Sequence, residues 1–332
     1  MNIYSSISRH RKALMGIAAL WIFIYHVFAN IQFTDKPLLF ELQYCIIKLG
    51  DCGVNIFFFL SGIGLPNSLD NNPSIRDFYR KRIGRLLLSG IVSLMLTYRY
   101  YSWNVKDLIL NGTGYNFLFK SVTSYYWFFY AIIVIYILFP MYYTMFKKSR
   151  NKTLFTAVCS SALFLLMIVG SNSFINKETY VFIARIPCFF IGVLFNYLGK
   201  NENFKYSFIN VSIHVVMLIV GVLSGYLILV NDIDILFPRF HMFFSYSLIA
   251  LGACFVLPLI FNLIKKTPIL SFFGTISLEF YTFQRFDFVI RSRINTPFVE
   301  LLIFLICTAS AYILYLINTS VLKLTRKNHP VQ

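Results

Sequence analysis

Long apolar runs recur along this chain with short basic clusters between them, and that pattern leaves few folds open. About 20 predominantly apolar residues are the length that crosses a bilayer as a helix. Ten such runs are read here, at 13–33, 46–68, 83–100, 124–146, 153–171, 179–198, 207–230, 240–264, 270–290 and 297–322. Hydrophobic residues make up 58% of the 332 and charged residues only 13%, about half the fraction usual in soluble domains. A water-soluble fold of this length cannot hide so much apolar surface, so a soluble enzyme is excluded. No polar stretch is long enough for a second domain, and residues 1–332 read as a single all-α integral membrane domain. The first run lacks a small-residue cleavage site and reads as a retained span rather than a signal peptide.

The charge follows the same pattern. Thirty Lys and Arg face 13 Asp and Glu, a net of +17. In a soluble protein that excess would point to nucleic acid. Here nineteen of the thirty lie on one set of alternate flanks, among them Arg9, Arg11, Lys12, Arg76, Arg80 and Lys81, and ten lie on the other. The richer side of a multi-span protein is cytoplasmic, so both termini are expected there, with the lipid bilayer as partner and no nucleic acid. The six cysteines form no CxxC or Cys/His cluster, and no metal is expected. No Walker loop, HExxH or GxSxG occurs.

Ionisable groups inside a membrane are functional candidates by default. His26 lies in the first run, Arg185 in the sixth within Ala184-Arg185-Ile186-Pro187, and Glu279 in the ninth. At 1.5 Å per residue His26 is roughly 20 Å and Glu279 roughly 14 Å from the cytoplasmic end, so both are deep enough to share a cavity. A neutral imidazole takes a proton from a hydroxyl near neutral pH. A buried glutamate orients that imidazole or pairs with Arg185. The set suits acyl transfer; proton-coupled transport, or an Arg185–Glu279 clamp between helices, would use the same residues. A second feature is the basic segment 76–85, in which Arg82 and Arg85 share a helix face and are able to grip phosphate bidentately. Membrane anchoring accounts for such a cluster as well. A third is the stretch 50–64, whose glycines permit close helix packing and whose Asn55 places an amide at depth.

Taken in order, these segments resemble acyltransferase family 3, membrane proteins that modify sugars of bacterial surface polysaccharides and related acceptors. The resemblance is carried by residues 14–20 with Tyr25-His26, by Gly53-Val54-Asn55 through Ser61-Gly62, by Phe78-Tyr79-Arg80-Lys81-Arg82-Ile83-Gly84-Arg85, by Trp127-Phe128-Phe129, by Arg185-Ile186-Pro187, and by Ser277-Leu278-Glu279-Phe280-Tyr281. It implies ten spans in the bacterial cytoplasmic membrane and an acyl-CoA donor, most often acetyl-CoA. The acceptor would be a hydroxyl of a surface polysaccharide or of its lipid-linked precursor. In that frame His26 is the catalytic base, and Glu279 and Arg185 position the acceptor or orient His26. Arg80, Arg82 and Arg85 hold the donor's phosphates, and Tyr25, Asn55, Ser61, Trp127 and Tyr281 line the cavity. A polysaccharide-synthesis complex or a homo-oligomer is the expected setting. The alternative is a polysaccharide or proton-coupled transporter without acyl transfer. Two positions depart from the family pattern: Leu14-Met15-Gly16 stands where Leu-Arg-Gly is usual, with Arg11 one helical turn before Met15, and Gln284 stands where His is usual.

Overall fold

The computed structural model describes residues 2–28, 37–102, 104–120, 127–170, 177–201, 204–231, 240–284, 290 and 298–327. Lys36, Trp103, Arg239, Arg285, Asp287, Arg291 and Arg293 lie outside them, as do the ends of several expected spans. Among the described residues there is no strand, only one isolated bridge between Asn2 and Lys205. The chain starts with α1 (Ile3–Arg9) and α2 (Arg11–Phe28). It continues through α3 (Pro37–Leu49), a 3-10 turn at Gly50–Cys52, and α4 (Gly53–Asn71). Next come α5 (Ile75–Tyr101), the short α6 (Val105–Gly112) and α7 (Tyr115–Phe119), α8 (Trp127–Lys148) and α9 (Lys152–Gly170). The second half holds α10 (Lys177–Ile183), α11 (Ile186–Asn201), α12 (Phe208–Asn231) and α13 (Phe240–Ile264). It ends with α14 (Pro268–Thr275), α15 (Ser277–Phe283) and α16 (Val299–Lys327).

Eight helical stretches among the described residues are long and apolar enough to cross a membrane, against the ten expected. The expected third span falls inside α5, whose 27 residues have the length, but whose arginines, serines and tyrosines lower its hydropathy. The expected ninth span, 270–290, is not one helix. It breaks at Ile276 into α14 and α15. Every residue of α15 except Leu278 is buried, the setting in which a membrane tolerates a broken helix. Two other spans are interrupted. The second carries the 3-10 turn at Gly50–Cys52, and the sixth turns at Ala184-Arg185 before α11 restarts with Pro187 in its first turn, where no backbone N–H is needed.

Two backbone contacts hold the centre. A Cβ added at Gly16 of α2 would lie 1.8 Å from the Leu270 carbonyl oxygen of α14. One added at Gly62 of α4 would lie 2.2 Å from the Phe189 carbonyl oxygen of α11. Only glycine permits such approaches, as in other close helix pairs of membrane proteins. Outside this centre, α9 and α12 expose apolar side chains such as Leu165, Val169, Ile219 and Leu223, a surface suited to hydrocarbon.

Gly62→Ala is therefore expected to destabilise the protein by about 1–3 kcal/mol through overpacking, read as a lower melting temperature in detergent. Gly90→Ala, whose Cβ would meet only Phe129 at 3.8 Å, leaves that temperature unchanged.

Candidate functional site

A partly open cavity of about 170 Å³ lies where α2, α4, α5 and α8 meet the broken segment α14–α15. Met15, Phe57, Ser61, Arg85, Tyr136, Tyr281 and Gln284 are among its walls. Gln284 caps α15 and is 1% exposed. Its Oε1 lies 2.8 Å from His26 Nδ1, and its Nε2 donates to the Ala19 carbonyl at 3.5 Å. An amide oxygen only accepts, so Nδ1 carries the proton and Nε2 is the basic nitrogen of His26. Gln284 thus fixes the tautomer, though a neutral amide does not stabilise an imidazolium as a carboxylate would. Tyr25 lies against the His26 ring, centroids 5.1 Å apart.

Glu279 does not pair with Arg185. It is fully buried and takes a two-pronged grip from Arg85, Nη1 to Oε1 at 2.9 Å and Nη2 to Oε2 at 3.1 Å. Asn318 of α16 completes this arrangement, donating to Glu279 Oε1 at 3.3 Å and to the Arg85 carbonyl at 3.1 Å. Arg85 therefore reaches in from α5 to close the break between α14 and α15, where it also donates to the Thr275 carbonyl at 3.5 Å. Asn318 was missed in the sequence; its only signal was an amide inside the last apolar run.

Arg185 pairs instead with Asp51, Nη2 to Oδ2 at 2.5 Å, joining the turn of the second span to the break in the sixth. Its Nη1 donates to the Val181 carbonyl at 2.9 Å, and the guanidinium lies 4.9 Å from the Trp127 ring centroid. Asn55 donates to Cys188 Sγ at 3.5 Å and Ser247 Oγ at 3.4 Å. Of the expected cavity residues, Ser61 and Tyr281 line the space, while Tyr25, Asn55 and Trp127 sit outside its walls.

The basic segment separates into three environments. Arg80 is half-exposed and pairs with Asp77 at 3.2 Å. Arg85 is held by Glu279. Arg82 meets no carboxylate within salt-bridge distance among the described residues; it lies over the rings of Phe78 and Tyr136, at 5.8 and 5.9 Å, and its buried Nε has no hydrogen-bond partner. Arg11 has the same character. Its guanidinium fills the space beside Gly64, its Nε is buried without a partner, and it lies close enough to repel Arg82. Tyr136, a cavity wall, stands next to both. Two like charges brought together with no acid between them among the described residues favour an anion at that place. Among the described residues no group of His, Cys, Asp and Glu is arranged to hold a metal ion.

Removing Asp51 leaves Arg185 as a buried uncompensated charge. Asp51→Ala is expected to destabilise the protein by about 3–5 kcal/mol, and the double variant Asp51→Ala/Arg185→Met to recover much of that loss. Melting temperatures of the three proteins check it. If Arg185 served mainly to hold an acceptor, the single and double variants would melt alike.

A family model described as an acyltransferase domain matches residues 13–318, nearly the whole chain. No curated protein and no solved structure matches it.

Proposed function

Because the chain belongs to acyltransferase family 3, we propose that this multi-pass membrane protein moves an acyl group, acetyl in the simplest case, from acyl-CoA to a hydroxyl of a surface polysaccharide or its lipid-linked precursor. The observation that carries this is the cavity itself. Its walls include Tyr136, which stands next to Arg11 and Arg82, two arginines without a carboxylate partner among the described residues, and Gln284, which hydrogen-bonds His26; His26 and the two arginines lie behind those walls. An anionic donor docks on the Tyr136 side and its thioester arm follows the cavity toward Gln284. Arg11 and His26 are fifteen residues apart on α2, a span of about 22 Å suited to a long flexible arm.

In the proposed reaction His26 Nε2 takes the proton of the acceptor hydroxyl as its oxygen attacks the thioester carbonyl. The carbon–sulfur bond breaks, the new ester forms, and the proton passes to the departing CoA thiolate. Arg82 and Arg11 hold the donor's phosphates. Arg85, already gripped by Glu279, has less capacity for phosphate and acts by fixing α15, and with it Gln284. Arg185 acts at a distance, by holding the two interrupted spans together. The one-residue departure at Met15 then has a physical counterpart, since Arg11 supplies the cation one turn earlier.

The reading extends to topology. Adding α5 and the broken α14–α15 segment to the eight apolar stretches restores ten spans, with both termini in the cytoplasm and the basic end of α5 facing the cytosolic donor. The setting is the cell membrane, alongside the enzymes that assemble the polysaccharide.

His26→Ala is expected to lower acyl transfer by about 10²–10⁴-fold, measured as ester-linked acetyl on the cells' surface polysaccharide at matched protein level. Normal acetylation would overturn the role of His26. In purified protein Arg82→Ala and Arg11→Ala raise KM for acyl-CoA far more than KM for the acceptor. An unchanged donor KM would remove both from the phosphate site.

A further inference from the structure

The walls of the cavity differ from one end to the other, and their contacts fix the order. Next to Arg11 stand Tyr136 of α8 and Ser61 of α4, the latter three residues from Gly64, whose added Cβ would touch the Arg11 guanidinium. Thr275 and Ser277 belong to the same end, at the helix break that Arg85 reaches. At the opposite end stand Ile22 of α2 and Val54 of α4, brought together by Gly53, whose added Cβ would lie 2.9 Å from Ile22. Phe128 is eight residues before Tyr136 on α8, about 12 Å further along. Three rings meet there. The centroids of Phe57 and Phe128 are 6.2 Å apart, edge to face, and those of Phe128 and Tyr281 are 4.8 Å apart. Phe128 and Tyr281 are buried, and Phe57 packs against both large core clusters, so the rings form a fixed wall.

Polarity divides the same way. Hydroxyls and the guanidinium of Arg85 belong to the Arg11 end, and Arg85 is held there by Glu279. At the ring end the walls are apolar apart from the Tyr281 hydroxyl and Gln284, whose two amide atoms are taken by His26 and the Ala19 carbonyl. No charged wall residue stands at that end among the described residues. His26 follows Ile22 by four residues on the same face of α2, so the ring end is the one nearer the basic nitrogen. A space of about 170 Å³ takes about six non-hydrogen atoms, since an apolar cavity of about 150 Å³ holds one benzene. The thioester group and the methylenes next to its sulfur use most of that.

We propose that Phe57, Phe128 and Tyr281 form the acyl pocket and set which acyl group is transferred: a short, uncharged one of about two or three carbons. A longer chain would have to displace a packed ring. A carboxylate at the end of the chain would lie in an apolar pocket without a cation. The inference rests on the acyltransferase proposal above and adds the residues that limit its donor.

The test uses full-length purified protein, one glycan acceptor and acetyl-, butyryl-, hexanoyl- and succinyl-CoA. It compares kcat/KM from release of free CoA thiol coupled to ester formation. A misfit of one methylene is worth about 10–200-fold, so wild-type protein is expected to favour acetyl-CoA over hexanoyl-CoA by at least about 100-fold and to leave succinyl-CoA unused. Phe57→Ala and Phe128→Ala, each opening the pocket by one ring, reduce the preference at least about tenfold. They also raise the absolute rate with hexanoyl-CoA, a gain that misfolded protein does not give. Phe57→Leu, a milder change at a partly buried position, shifts the profile the same way where the alanine variants prove unstable. Ile133→Ala, on the exposed side of α8, leaves it as in wild type. Folded Phe57 and Phe128 variants with the wild-type profile, or wild-type protein that uses hexanoyl- or succinyl-CoA as readily as acetyl-CoA, would overturn the acyl pocket while acyl transfer stands. Wild-type protein that turns over none of the four donors removes the acyltransferase proposal and the acyl pocket with it.

Discussion

Buried ion pairs at helix breaks govern this structure. Three apolar spans are interrupted, at Gly50–Cys52, at Ala184-Arg185 and at Ile276. A charge sits at or beside each interruption and is met by an opposite charge from another helix: Arg185 by Asp51, and Glu279 by Arg85. A lone charge there would be expensive in hydrocarbon. Paired, the charges hold otherwise discontinuous helices in one arrangement. The cavity depends on it, because α15 is too short to stand alone and is fixed by Arg85, Asn318 and its own burial. Gln284 caps α15 and is the group that orients His26.

The division of the arginines follows. A basic cluster in sequence is a set of equivalent charges; in the fold the members have different partners. Arg80 and Arg85 are each matched by a carboxylate, whereas Arg82 lies over the rings of Phe78 and Tyr136 and repels the nearby Arg11, neither having a carboxylate partner among the described residues. Positive charge without a carboxylate partner, set behind a cavity wall, is where an anion gains most.

Much of this was legible in the residues and some was not. The apolar runs mark the helices, because length and hydropathy are local properties. His26, Glu279 and Arg185 stand out for the same reason, as charge or imidazole inside apolar stretches. Their partners are not local: Asp51 is 134 residues from Arg185, and Glu279 is 194 from Arg85, so an Arg185–Glu279 pair was as reasonable from sequence as the two pairs found. The break at Ile276 was hidden because the apolar run continues through it, and the close approach of Gly16 to α14 and the reach of Arg85 fix the interruption. Asn318 gave almost no signal, since one amide in a span is more often a helix contact than part of a site. Tyr25, Asn55 and Trp127 have the residue types of a cavity lining but serve packing around His26, Cys188 and Arg185.

The central claim is that a hydroxyl receives an acyl group from a thioester inside this bundle. Its most direct test is purified protein given acyl-labelled acyl-CoA and a polysaccharide repeat-unit acceptor, followed for both free CoA thiol and labelled ester. The account predicts thiol and alkali-labile ester rising together in equal amounts with the wild-type chain. Folded protein that binds acyl-CoA yet releases no thiol and labels no acceptor would contradict it.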